Sequence, residues 1–159
     1  MNNKIIKKLK EDTSTSSYII YREKYIKNIK IDLIYHEALT DQEKMSNFIY
    51  RSLDYIEKIY NDKDSLYDTI KNNISNIKIK KIKDYQDICK YLNNGFLILL
   101  IEDDYSLALE VKKNLSRSID KAITETTIRG PMDSFTENIE TNIGLIKRRI
   151  KSNIIHIDI

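Results

Sequence analysis

Glu102, Asp103 and Asp104 follow directly on the apolar run FLILLI, Phe96–Ile101. Three carboxylates at the end of a strand are the oxygen-rich corner that Mg2+ and a phosphate need. A phosphoryl-accepting site of the receiver type also requires its acidic pair near the start of the domain, an acceptor Asp at the end of a later strand, a Lys beyond it, and a helix after the acidic corner. Here the acids stand at residue 102 of 159, and SLALEV follows, with Leu107, Leu109 and Val111 alternating with Ala108 and Glu110. Period-two alternation is a strand, so EDDY reads as the turn of a hairpin rather than a metal and phosphate site.

The other reactive side chains do not converge in sequence either. His36 and His156 lie at strand-like positions far apart, with no Cys or carboxylate at metal-ligand spacing, and read as packing or surface histidines. Cys89 is the single cysteine and sits among apolar neighbours in DYQDICKYL, where a buried, unreactive thiol is expected. No Gly flanks a Ser in nucleophile-elbow fashion, and three scattered glycines make no phosphate loop. The sequence therefore indicates no enzyme, no metal and no cofactor. IKIKKIKD and KRRIK could touch phosphates but lack interleaved aromatic stacking positions, and 27 basic against 24 acidic residues leave a net charge of only +3. No nucleic acid partner is expected.

A chain of 159 residues is one domain, or one domain and the first piece of another. The richness in Ile, Lys, Asn and Tyr is what an AT-rich coding sequence produces, which discounts the lysines as a signal. Residues 1–16 have basic residues but no apolar stretch of about 7–15 residues as in a signal peptide, and read as a flexible leader. The longest apolar run, six residues at Phe96–Ile101, is far short of the roughly 20 needed to span a bilayer.

The elements that must carry these residues are alternately strand-like and helical. YIIYREKYI and KIDLIYHEA, joined by Lys27-Asn28, predict a hairpin. Thr40 to Glu43 has capping-box spacing and predicts a helix with Met45, Phe48, Ile49, Leu53, Ile56, Ile59 and Tyr60 on its core face. SLYDTIKNNI predicts a weaker helix, and IKIKKIK a strand with a bulge where the phase breaks at Ile82. Asp84 caps a helix that Gly95 ends. Ser134 to Glu137 repeats the capping box before a helix with Phe135, Ile139, Ile143, Ile146 and Ile150 on one face, and its last turn holds Lys147, Arg148, Arg149 and Lys151, which suits the helix dipole. The predicted fold class is α/β, a mixed β-sheet with flanking helices in two or three layers. Residues 17–151 form its first subdomain, and IIHIDI in 152–159 starts a second that continues past Ile159.

Residues 116–152, SRSIDKAITETTIRGPMDSFTENIETNIGLIKRRIKS, carry a more specific pattern. It comprises Arg117-Ser118-Ile119, Thr124-Glu125, Arg129-Gly130-Pro131, Ser134-Phe135-Thr136-Glu137, Thr141-Asn142, Leu145-Ile146 and Arg148-Arg149. In this order the segment resembles the A subunit of spore germinant receptors, the GerA family, and YIIYREKYI, DLIYHEAL and NNGFLILLIEDD upstream extend the likeness to about residues 17–159. Two departures stand out: DKAI where similar proteins usually have a Pro, and EDD where a hairpin Gly is common. The resemblance implies a non-enzymatic, cytoplasmic N-terminal domain of a nutrient receptor, acting in receptor assembly and germination signal transmission. It implies B and C partner subunits, a homo-oligomer through the A subunit, a downstream transmembrane domain, and a place at the spore inner membrane with this domain on the core side. Arg117, Arg129, Gly130, Pro131, Ser134, Glu137, Asn142, Arg148 and Arg149 are its signature and interaction candidates. Gly130 permits a turn and Pro131 fixes the entry to the following helix, so part of the signature is a folding device. A small-ligand regulatory domain, with a pocket framed by the hairpins and the Arg129-Gly130-Pro131 turn, is the alternative.

Overall fold

The computed structural model describes residues 2–13, 18–61, 65–74, 77–101, 105–114 and 138–150. Its centre is a five-stranded sheet built from β1 (Ile19–Ile26), β2 (Ile29–His36), β3 (Ile79–Lys81), β4 (Phe96–Ile101) and β5 (Tyr105–Glu110), in the order β1-β2-β4-β5-β3. Every described pairing is antiparallel. The expected hairpins are both present: Ile26 pairs Ile29 across the Lys27-Asn28 turn, and Ile101 pairs Tyr105. Residues 102–104 themselves lie outside the described residues.

The unbroken apolar run of β4 has a direct cause. Its side chains alternate between two cores, and all six residues are buried. Leu97, Leu99 and Ile101 join Ile31, Leu33, Tyr35, Leu107 and Leu109 on one face, beneath helices; Phe96, Ile98 and Leu100 join Ile34 and Ala108 on the other. The register holds this division strand by strand, with Leu33 opposite Leu99 opposite Leu107, and Ile34 opposite Ile98 opposite Ala108. The phase break at Ile82 obeys the same rule. Ile79 packs against the first core and Ile82 lies in the second, its N–H donating to the Ser106 carbonyl at 3.1 Å, so the change is one of face and not a bulge.

The first core is covered by a helical segment and α4. The segment runs through α2 (Gln42–Lys44), a π-helical stretch Met45–Tyr50 and α3 (Arg51–Ile59); α4 is Leu66–Asn73. It begins one residue later than the capping-box spacing predicts. Asp41 is the cap, its carboxylate accepting from the Glu43 and Lys44 amides at 3.0 and 3.1 Å, whereas Thr40 is buried and turns its hydroxyl to the His36 carbonyl at 3.0 Å. The wider π-helical turn takes up residues, so the buried stripe is Met45, Ile49, Leu53, Ile56 and Tyr60; Ile59, expected in it, is 45% exposed.

The second core is covered by α5 (Tyr85–Leu92) and by α1 (Asn2–Asp12). The Asp84 carboxylate accepts the Asp87 amide at 2.9 Å while the Asp87 carboxylate accepts the Lys83 amide at 3.1 Å, a reciprocal cap. α1 corrects the expectation of a flexible leader at 1–16. Ile5, Ile6 and Leu9 form an i, i+1, i+4 stripe, Leu9 is fully buried, and Lys8 and Lys10 lie over the rings of Tyr85 and Tyr21 at 4.4 and 5.3 Å. The fold is thus α/β in three layers, with helices on both faces of the sheet.

Candidate interaction site

α6 (Ile139–Arg149) carries the described part of the sequence signature and meets the body of the fold at the turn that follows β2. Asn138 caps it, the side-chain oxygen accepting the Thr141 amide at 2.9 Å, so the expected cap at Ser134 does not open this helix. Its packed face also differs from the isoleucine stripe predicted for it. Thr141, Ile143, Gly144, Leu145 and Lys147 are buried, Ile146 is half-buried, and Ile139 and Ile150 at the two ends are 56% and 50% exposed. Leu145 reaches Leu39 in the 3-10 turn Glu37–Leu39 that follows β2.

That turn is a crossing point for the backbone. The His36 carbonyl accepts from both the amide and the hydroxyl of Thr40, and the Glu37 amide donates to the Tyr18 carbonyl at 2.9 Å. The Leu39 carbonyl accepts the Lys113 amide at 2.8 Å, and the Asp41 amide donates to the Val111 carbonyl at 2.8 Å. Gly95 comes in from the α5–β4 turn with φ +74°, so close that a Cβ there would lie 2.7 Å from the Leu39 carbonyl oxygen. Five segments therefore meet where α6 docks: the start of β1, the end of β2, the start of β4, the exit of β5, and α6 itself.

His36 fills the centre of this junction. It is fully buried, the Tyr18 ring stacks on it at 5.8 Å between centroids and 2° between planes, and neither ring nitrogen has a hydrogen-bond partner. Burial pushes its pKa down to about 3, and the Lys147 charge adds to the shift. Burial lowers the Lys147 amine as well. The sequence places Lys147 in the last turn as a cation suited to the helix dipole; in the structure it is buried, 8% exposed. The spacing held a clue, since Lys147 stands four residues after Ile143 and shares its face. His36 itself could be read as a packing histidine, but nothing in the sequence placed it against α6.

Of the nine signature candidates, the structure places three. Asn142 is half-buried on α6, Arg149 is exposed in the last turn, and Arg148 lies between them in the helix. Arg117, Arg129, Gly130, Pro131, Ser134 and Glu137 lie outside the described residues, as do the turn they were expected to form, Phe135, His156 and residues 152–159. Among the described residues no three His, Cys, Asp or Glu side chains are grouped to hold a metal, and no helix is long and apolar enough to cross a membrane. Two open surface grooves are present, about 260 Å³ between Lys44, Phe48, Lys78 and Lys112, and about 450 Å³ between Tyr60, Ser65, Asp68 and Asn73. Neither is lined by α6 residues. Cys89, expected buried, is half-buried, and burial raises its pKa.

Comparison with known sequences fixes the lineage. The family described as Bacillus/Clostridium GerA spore germination protein matches residues 7–159. The chain belongs to the GerA family. Within this family it is similar to stage V sporulation protein AF of Bacillus subtilis (strain 168), 28% identical over 138 residues that cover 86% of this chain and 28% of that protein. It is also similar to spore germination protein XA of Bacillus anthracis (26% identity, 79% and 26% covered) and to spore germination protein A1 of B. subtilis (25%, 91% and 28%). The chain thus spans little more than a quarter of the length of these GerA relatives. Its fold matches the crystal structure of the N-terminal domain of the A subunit of the Bacillus megaterium spore germinant receptor GerK3, with a TM-score of 0.66 and 21% identity, over 93% of this chain and 54% of that one.

Proposed function

We propose that this GerA chain is the first part of the N-terminal domain of a germinant-receptor A subunit, and that it acts in receptor assembly and in passing on the germination signal, without catalysis. The observation that carries the reading is the family match over residues 7–159 together with the shared fold. On this reading the domain faces the spore core at the inner membrane, B and C subunits and further copies of the A subunit are its partners, and residues 152–159 lead into a second subdomain before the membrane region. α6 is the element that joins the body of the fold to whatever follows. Its exposed Ile139, Arg149 and Ile150 are the described surface offered to the rest of the receptor.

The test is made in the full-length protein in spores. Ile139→Asp with Ile150→Asp should leave the melting temperature of the 159-residue chain within a degree or two, because both side chains are already half exposed, yet lower receptor levels and slow nutrient-triggered germination. Wild-type germination by that double variant removes α6 as the assembly surface. A thermal-shift screen with amino acids, sugars and nucleotides addresses the ligand-binding alternative, since a ligand of the native state raises the melting temperature.

A further inference from the structure

The seam between α6 and the turn that follows β2 holds two buried basic groups, and among the described residues no acid pairs with either. His36 is fully buried with both ring nitrogens unpartnered, and Lys147, four residues on from Ile143, is buried on the opposing helix. An imidazole with two idle nitrogens costs stability that an apolar ring of the same shape would not. Its presence is tolerable only while it is neutral, because a proton there would add a buried charge with no acceptor.

We propose that this seam is an acid-released latch: protonation of the buried His36 imidazole expels it from its stack on Tyr18 and, through the turn that follows it, frees α6 from the body of the fold, while the sheet remains folded. Among the described residues no carboxylate is placed to hold the protonated ring. From the β1 side the neighbours are the Tyr18 ring and Ile19, the strand partner of His36. From the turn, Glu37 is exposed and the Thr40 hydroxyl is committed to the His36 carbonyl. At the exit of β5, Lys112 pairs with Glu110 at 3.0 Å, and on the neighbouring helix Lys44 donates to the Lys112 carbonyl at 3.0 Å. Among the described residues the charge that acts on the imidazole is that of Lys147, and it opposes protonation. The sheet has its own reasons to persist, since Leu97, Leu99, Ile98 and Leu100 are buried between two helical layers that do not include α6.

The proposal concerns the mechanics of the fold and does not rest on the receptor reading. Hydrogen exchange of the 159-residue chain, corrected for intrinsic exchange rates, is compared at pH 7.5, 6.0 and 5.0. α6 protection should fall by up to tenfold for each pH unit below about 6.5, the one-proton limit, while β4 keeps its protection. His36→Phe, which retains an aromatic ring against Tyr18 but cannot titrate, should give pH-independent α6 protection. Equal loss in α6 and β4, no loss in α6, or the same loss in His36→Phe each overturns the latch. Should His36→Phe not fold, the His156→Gln variant leaves His36 as the single imidazole. Its NMR titration must then track α6 opening, and an imidazole that titrates with α6 still protected overturns the proposal equally.

Discussion

Gly95 shows how much one residue without a side chain can hold. Its positive φ ends α5, and its bare Cα lets the turn lie against the Leu39 carbonyl, which is itself engaged by the Lys113 amide. Gly95→Ala adds a left-handed backbone penalty of roughly 1–2 kcal/mol and a backbone clash that cannot be relieved by rotating a side chain. A loss of about 2 kcal/mol or more is expected in urea unfolding; a variant as stable as the parent would mean that the turn does not seat on Leu39. Cys89 makes a milder claim. Half-buried beside Tyr85 and with its pKa raised by burial, it should alkylate more slowly at pH 7.5 than a free cysteine. Alkylation at the rate of an open thiol would show that α1 does not cover α5 in solution.

At the scale of the element, α1 offers the sharpest contrast between pattern and packing. A polar, lysine-rich N-terminus with three apolar residues is weak evidence for a helix, because isolated helices of this length are marginal in water. The sheet supplies what the segment lacks, a second apolar face on which Ile5, Ile6 and Leu9 lie. Leu9→Ala should therefore cost about 2–5 kcal/mol, as for a leucine in a packed core, and urea midpoints would reveal a loose leader by the absence of any change. α6 is held differently, through its Asn138 cap and its contact with the turn after β2. Asn138→Ala removes the cap and should cost about 1 kcal/mol, read as lower hydrogen-exchange protection in 139–149 than in β4. Equal protection changes in both would make α6 part of one cooperative unit with the sheet.

For the whole molecule the two basic groups set a direction of pH dependence. The folded state holds His36 at about 3, against about 6.5 in the unfolded chain, so between these values the unfolded chain binds more protons. Stability is then complete above pH 6.5 and falls as pH drops toward 3, at up to about 1.4 kcal/mol per unit. Lys147, lowered in the folded state, acts with the same sign at alkaline pH, stability rising as pH approaches its unfolded value. Urea unfolding at pH 7.5 and 5.0 should show a loss in the parent that His36→Phe reduces by more than half; equal losses in the two would remove His36 as the source.

Much of this protein was written locally. The β4 run, the two hairpins, the Asp84 cap and the Gly95 stop each follow from alternation or cap chemistry within a dozen residues, and those signals depend only on neighbours in the chain. The ordered signature in 116–152 likewise carried the family without any fold. Whatever required two distant segments to meet was not legible. The apolar residues of 2–12 needed the second sheet face, the cap at Asp41 was decided by Thr40 being drawn inward to His36, and the burial of His36 against Lys147 joins residues more than a hundred positions apart. Burial is a property of the partner surface as much as of the residue, so only the tertiary structure could decide which side of α6 faces inward, and that it is the side carrying a lysine.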